Sequence, residues 1–164
     1  MALTKSAWTR ASVGNQTVVS CNVIATTAEN DAYTLALDMK KWGLDPQKPF
    51  TLFYYTSATP DAQALPLDVF IGYADDFAVT GDSTTIGATS GSKFKQIFDD
   101  VVLAVTPLIY SFAINPSLPV ADVVTVAAIG SGAKVTVPPA PYYAFNANGG
   151  STLAAATHYF KVVQ

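Results

Sequence analysis

The chain has little of what most enzymes and nucleic-acid-binding proteins use. Its 164 residues include one cysteine, one histidine and 13% charged residues, against roughly 25% charged in an average soluble domain. Glutamate occurs once, as Glu29. The single cysteine, Cys21, excludes an internal disulfide, and it sits in an alternating apolar segment as a small core residue would. Together with His158 it falls short of the three or four ligands of a zinc site. The net charge of −3 and the scattered cations, of which Lys40-Lys41 is the densest pair, exclude a phosphate-binding face. Such a face needs several basic groups converging on one side, so no nucleic-acid partner is expected. No apolar run approaches the ~20 residues that cross a bilayer, so no membrane partner is expected either. The N-terminal MALTKSAWTRASVG lacks the continuous apolar core of a secretory signal, and a chain made and kept in a cytoplasm is expected.

Catalytic motifs are missing as well. No G-x-S-x-G, H-E-x-x-H or P-loop pattern occurs, and GSGAK at 130–134 lacks the spacing and the following helix of a phosphate loop. Cys21 and His158 form a conceivable pair, but no third residue is nominated to orient them. Two carboxylate pairs, Asp75-Asp76 and Asp99-Asp100, raise the question of a calcium site. Adjacent strand residues point to opposite faces, so each pair offers one carboxylate to a given ion and is read instead as a wet strand end. No catalytic residue, metal ligand or cofactor is expected, and the chain is read as a non-enzyme.

What the chain does have is 50% hydrophobic residues arranged almost everywhere with a period of two. Tyr33, Leu35, Leu37 and Met39 alternate with Thr34, Ala36 and Asp38, and similar patterns run through 50–55, 67–73, 108–114, 121–129, 133–137 and 156–163. Valine, isoleucine, threonine and aromatics dominate these runs, as strands prefer. Turn clusters separate them: Asp45-Pro46, Ser57 to Pro60, Gly81 to Ser83, Asn115-Pro116, Gly130 to Gly132 and Asn146 to Ser151. This spacing predicts an all-β sandwich or barrel of antiparallel strands, and a chain of this length needs no staple. Residues 92–102 fit either a short helix, with Phe94, Ile97, Phe98 and Val101 on one face, or a strand.

Residues 1–14 break the alternation and carry Lys5, Trp8 and Arg10 before Gly14. They are read as an arm preceding a domain at 15–164, either frayed or ordered on a neighbouring subunit. Extended, such an arm reaches ~45 Å. Tryptophan and arginine are typical interface anchors, and so are aromatics held beside turns. The partner-interface candidates are therefore Trp8, Arg10, Trp42 in KKWGLDP, and Tyr142 and Tyr143 in PPAPYY. Alternation sends the two tyrosines to opposite faces, one to the core and one to contact. Trp42, Tyr142 and Tyr143 also keep open a carbohydrate-binding sandwich that stacks sugars on its rings.

The stretches LPLDVFIGYADDFAVTGDSTTIGATSGSKFKQIFDDV and VPPAPYYAFNANGGSTLAAATHYFKVVQ resemble small structural proteins of tailed bacteriophage virions. The likeness is to head decoration or cement proteins and related jelly-roll or β-sandwich components, in texture and sparse charge, from about residue 15 onward. It implies a jelly-roll-like antiparallel sandwich that coats an assembled head in the virion, after assembly in the host cytoplasm. It also implies a homo-oligomer, trimer favoured, clamping the major capsid protein. The chain is large for that class, which leaves a tail or fibre adhesion domain as the alternative.

Overall fold

The computed structural model describes residues 3–25, 33–56, 67–72, 94–101, 109–117, 126–127, 134–147 and 156–164. Every regular element among them is a β-strand: β1 Leu3–Lys5, β2 Thr9–Val13, β3 Gln16–Ala25, β4 Tyr33–Asp38, β5 Phe50–Thr56 and β6 Leu67–Gly72. They are followed by β7 Phe94–Val101, β8 Ile109–Pro116, β9 Val126–Ala127, β10 Lys134–Val137, β11 Tyr142–Ala147 and β12 Ala156–Val163. The ambiguous 92–102 region is thus extended, as β7, and its pairing with β6 contains register shifts where the ladder bulges.

Two sheets result. The first has seven strands in the order β1-β3-β12-β5-β8-β10, with β2 also on β3; the second has five, in the order β4-β11-β6-β7-β9. All neighbours are antiparallel except β8 with β10 and β7 with β9. The inner faces meet in one core, to which Val19, Leu52, Phe112 and Phe160 of the first sheet and Leu35, Leu37, Ile71 and Phe145 of the second contribute. Rings cross between the layers: Phe50 meets Tyr143 edge-on at 4.9 Å, and Phe145 lies 6.2 Å from Phe160. Edge and offset contacts of this kind add to the burial term because ring edges carry positive charge and faces negative.

The N-terminal segment, expected as an arm, runs along β3 of its own chain. Leu3 to Lys5 pair with Ala25 to Val23, and Thr9 to Val13 pair with Ser20 to Gln16. Between these stretches the ladder is carried partly by a side chain. The Ser6 amide donates to the Asn22 carbonyl at 2.8 Å, while the Asn22 amide donates to Ser6 Oγ at 2.9 Å. A two-residue turn, Gly14-Asn15, joins β2 to β3, with Gly14 at φ 60, which glycine adopts without a Cβ clash.

The outer faces differ. On the second sheet Phe70 and Ala144 are buried although alternation places them opposite Ile71 and Tyr143, so its centre is covered on both sides. On the first sheet the outward positions of β3, β5 and β12 remain partly exposed and mix apolar Val18, Ile24, Phe53, Tyr55, Tyr159 and Val163 with polar Ser20, Asn22, Thr51, Thr157 and Lys161. Tyr55 and Tyr159 sit directly opposite each other and stack at 4.4 Å, with the Lys161 ammonium 5.5 Å from the Tyr55 ring. Among the described side chains on this face of β3, β5, β8, β10 and β12, the charged ones are Lys134 and Lys161.

Candidate functional site

A concavity opens at the corner where the N-terminal segment, between β1 and β2 of the first sheet, meets the edge strand β4 of the second. Its first wall comes from the break between β1 and β2. There Trp8 leaves the first sheet, and its indole N–H donates to the Ala36 carbonyl of β4 at 2.7 Å. The ring edge meets Phe145 at 6.3 Å and 62°. β4 is an edge strand, paired with β11 on one side, so Trp8 satisfies a carbonyl on its open side.

The second wall is the turn that ends β4. Met39 and Leu44 are buried and bonded to each other, the Leu44 amide donating to the Met39 carbonyl at 2.8 Å. Asp38 turns the chain by accepting the Lys41 amide on its carboxylate at 3.1 Å, as short polar side chains do at turns. Anchored at both ends, the turn holds Lys41 exposed and Trp42 half-buried on its outside, with the Lys41 ammonium 5.9 Å from the Trp42 ring centroid. Gly43 closes the turn at φ 73. A Cβ there would lie 2.9 Å from Cζ of the exposed Arg10 guanidinium, a flexible end that can move aside, so it is the positive φ that favours glycine.

Tyr142 forms the floor. It begins β11 directly opposite Asp38, and the preceding Pro141 carbonyl accepts the Met39 amide at 3.0 Å, tying floor to wall. The resulting space is about 430 Å³, lined by Trp8, Trp42, Tyr142, Asp38, Lys41 and the backbone around Ala36.

Of the five candidate residues, the fold places Trp8, Trp42 and Tyr142 around one concavity and Arg10 beside it. Tyr143 goes to the core, fully buried against Phe50. Asp38 and Lys41 were not singled out by the sequence reading, which noted Lys40-Lys41 only as a basic pair. The available signal was an aspartate at the end of an alternating run, three residues before the lysine, followed by tryptophan and glycine.

The other polar residues of interest lie elsewhere. His158 is buried, and its Nδ1 is 2.7 Å from the Tyr54 hydroxyl, with the two rings stacked at 6.0 Å. The Cys21 thiol is buried and donates to the Ser6 carbonyl at 3.2 Å. Asp75 and Asp76 fall outside the described residues, and so does most of the 130–134 turn. Among the described residues no group of three or more His, Cys, Asp or Glu side chains converges to hold a metal, and no helix is long and apolar enough to cross a membrane. Comparison of the chain with known protein families, curated proteins and solved structures returns no match.

Proposed function

We propose that the chain is a structural protein of a tailed-bacteriophage virion, of the head decoration or cement kind, built as a jelly-roll-like β-sandwich. It works as a homo-oligomer, trimer favoured, seated on the major capsid protein. The observation that carries the reading is the outer face of the first sheet. Val18, Phe53, Tyr55, Tyr159 and Val163 stand outward there among the uncharged Ser20, Asn22, Thr51 and Thr157, on strands that are already fully paired. Water-facing strands of a free monomer alternate apolar with polar residues, and the exposed rings and sparse charge of this face support burial against another chain. At roughly 25 cal/mol per Å² of apolar area, an interface of about 1,600 Å² gives ample gross drive before association costs are subtracted. Many such contacts on a symmetric shell reinforce one another. On this reading residues 1–14 are an arm that sister subunits exchange, remaking on a neighbour's β3 the pairing seen within one chain.

The mass of the native protein in solution tests the reading. A closed oligomer is expected, and a substitution of Tyr159→Glu is expected to reduce it to single chains that stay folded. A wild-type protein that sediments as a dispersed monomer at high concentration would refute it. Removing residues 1–12 separates the arm from the face: an unchanged oligomer mass would strike the arm from the proposal and leave the face.

A further inference from the structure

We infer that the corner concavity is a binding site for a neutral saccharide, a hexose ring or the terminal unit of a glycan. The site lies at the β4 edge, apart from the outer face of the other sheet, but it shares Trp8 with the proposed arm, so where arms are exchanged its first wall comes from a sister subunit. Three aromatic side chains converge there from the N-terminal segment, the 39–44 turn and β11, and each stands where a rigid neighbour holds it. Trp8 is fixed by its bond to the Ala36 carbonyl, Trp42 by packing on the core, and Tyr142 by the β11 ladder. A space of about 430 Å³ lies within the usual range of small-ligand pockets, where a mostly apolar lining is joined by a few placed polar groups.

The chemistry narrows the occupant by elimination. An extended peptide would dock by adding a strand to the open side of β4, but Trp8 already occupies the Ala36 carbonyl there. A cationic ligand would seek the aromatic faces and Asp38, but the Lys41 ammonium, already 5.9 Å from the Trp42 ring, repels a second cation and offsets that gain. An anion would meet Lys41 and also the Asp38 carboxylate, which repels it. A polyhydroxylated ring satisfies every group in the lining. Its C–H face lies on an aromatic ring, a carboxylate accepts from its hydroxyls, and an ammonium donates to its oxygens. The pairing of one acceptor-only and one donor-only charge beside three rings is what a molecule that is apolar on its faces and polar at its rim requires.

The test uses the full chain, labelled for NMR, titrated with methyl glycosides of glucose, galactose, mannose and N-acetylglucosamine, and with tetramethylammonium as the competing chemistry. At least one glycoside is expected to shift the indole signals of Trp8 and Trp42 saturably at roughly millimolar concentration, the affinity such a small ligand commands. Tyr142→Ala and Lys41→Ala are each expected to weaken that binding about tenfold, and Lys134→Ala, on another face, to leave it unchanged. Tyr142, unlike Trp42, is not packed against the core, so its variant keeps the test open if Trp42→Ala does not fold. The inference is overturned if no glycoside moves either indole. Binding that survives unchanged in Tyr142→Ala and Lys41→Ala, or tetramethylammonium binding in preference to every sugar, would overturn it equally.

Discussion

Replacing Trp8 by alanine probes the bond between the N-terminal segment and the second sheet. Two contributions disappear. The indole is half-buried against the core, so about half of the 3–5 kcal/mol typical of a fully buried large aromatic is lost, roughly 2 kcal/mol. The bond to the Ala36 carbonyl adds about 1 kcal/mol, at the net value of an ordinary hydrogen bond whose acceptor can turn to water. The sum, about 3 kcal/mol, is a large fraction of the 5–15 kcal/mol typical of a domain but does not exhaust it. Urea denaturation is the direct assay. With a slope of about 2 kcal/mol per M, the midpoint falls by about 1.5 M with the slope unchanged. Trp8→Phe keeps most of the ring and loses the donor, so its midpoint falls by about 0.5 M. If Trp8→Ala and Trp8→Phe are both indistinguishable from wild type, the segment does not dock on β4 in the isolated chain. The corner concavity would then lack its first wall.

Further outcomes follow from the same geometry. Gly43→Ala is expected to cost about 1–2 kcal/mol, because alanine resists a positive φ. In an Arg10→Ala background the same substitution is expected to cost nearly as much, since the guanidinium can move aside, and strong coupling between the two would refute the assignment of the cost to φ. Gln164→Ala removes a side-chain amide that accepts from the Asp45 amide at 2.7 Å and donates to the carbonyls of Asp45 at 2.8 Å and Lys48 at 3.2 Å. About 1 kcal/mol and faster amide exchange across 45–48 are expected, and unchanged exchange there would count against the clamp. Tyr54→Phe deletes the buried hydroxyl bonded to His158 and is expected to lower stability by about 1–2 kcal/mol in the same denaturation assay; a neutral result would mean the hydroxyl is solvated.

Much of the strand layout was legible because alternation is a one-dimensional signal. Leu35, Leu37 and Met39, like Phe50, Leu52 and Tyr54, face the core as the period of two requires. The opposed fates of Tyr142 and Tyr143 follow from the same rule. Residues 94–101 were undecided because Phe94, Ile97, Phe98 and Val101 satisfy a helical period while β-rich composition satisfies an extended one. Pairing with β6 on one side and β9 on the other resolves it as a strand. The N-terminal segment carried no alternation to read, since β2 is exposed on both faces at the sheet's rim.

By itself, then, the order of residues determined that most of the described chain is extended and which side of its alternating strands is apolar. Local sterics and the partition of side chains between oil and water act over a few residues, and a pattern of that length is written in the chain directly. Only the tertiary structure decided which strands share a sheet, that β8 meets β10 and β7 meets β9 in parallel, and that Trp8, Trp42 and Tyr142 line one space. Those juxtapositions join segments that are not neighbours along the chain, and Trp8 and Tyr142 lie more than a hundred residues apart. They are set by how two twisted sheets close over a common core, a property of the whole packing that no single stretch encodes.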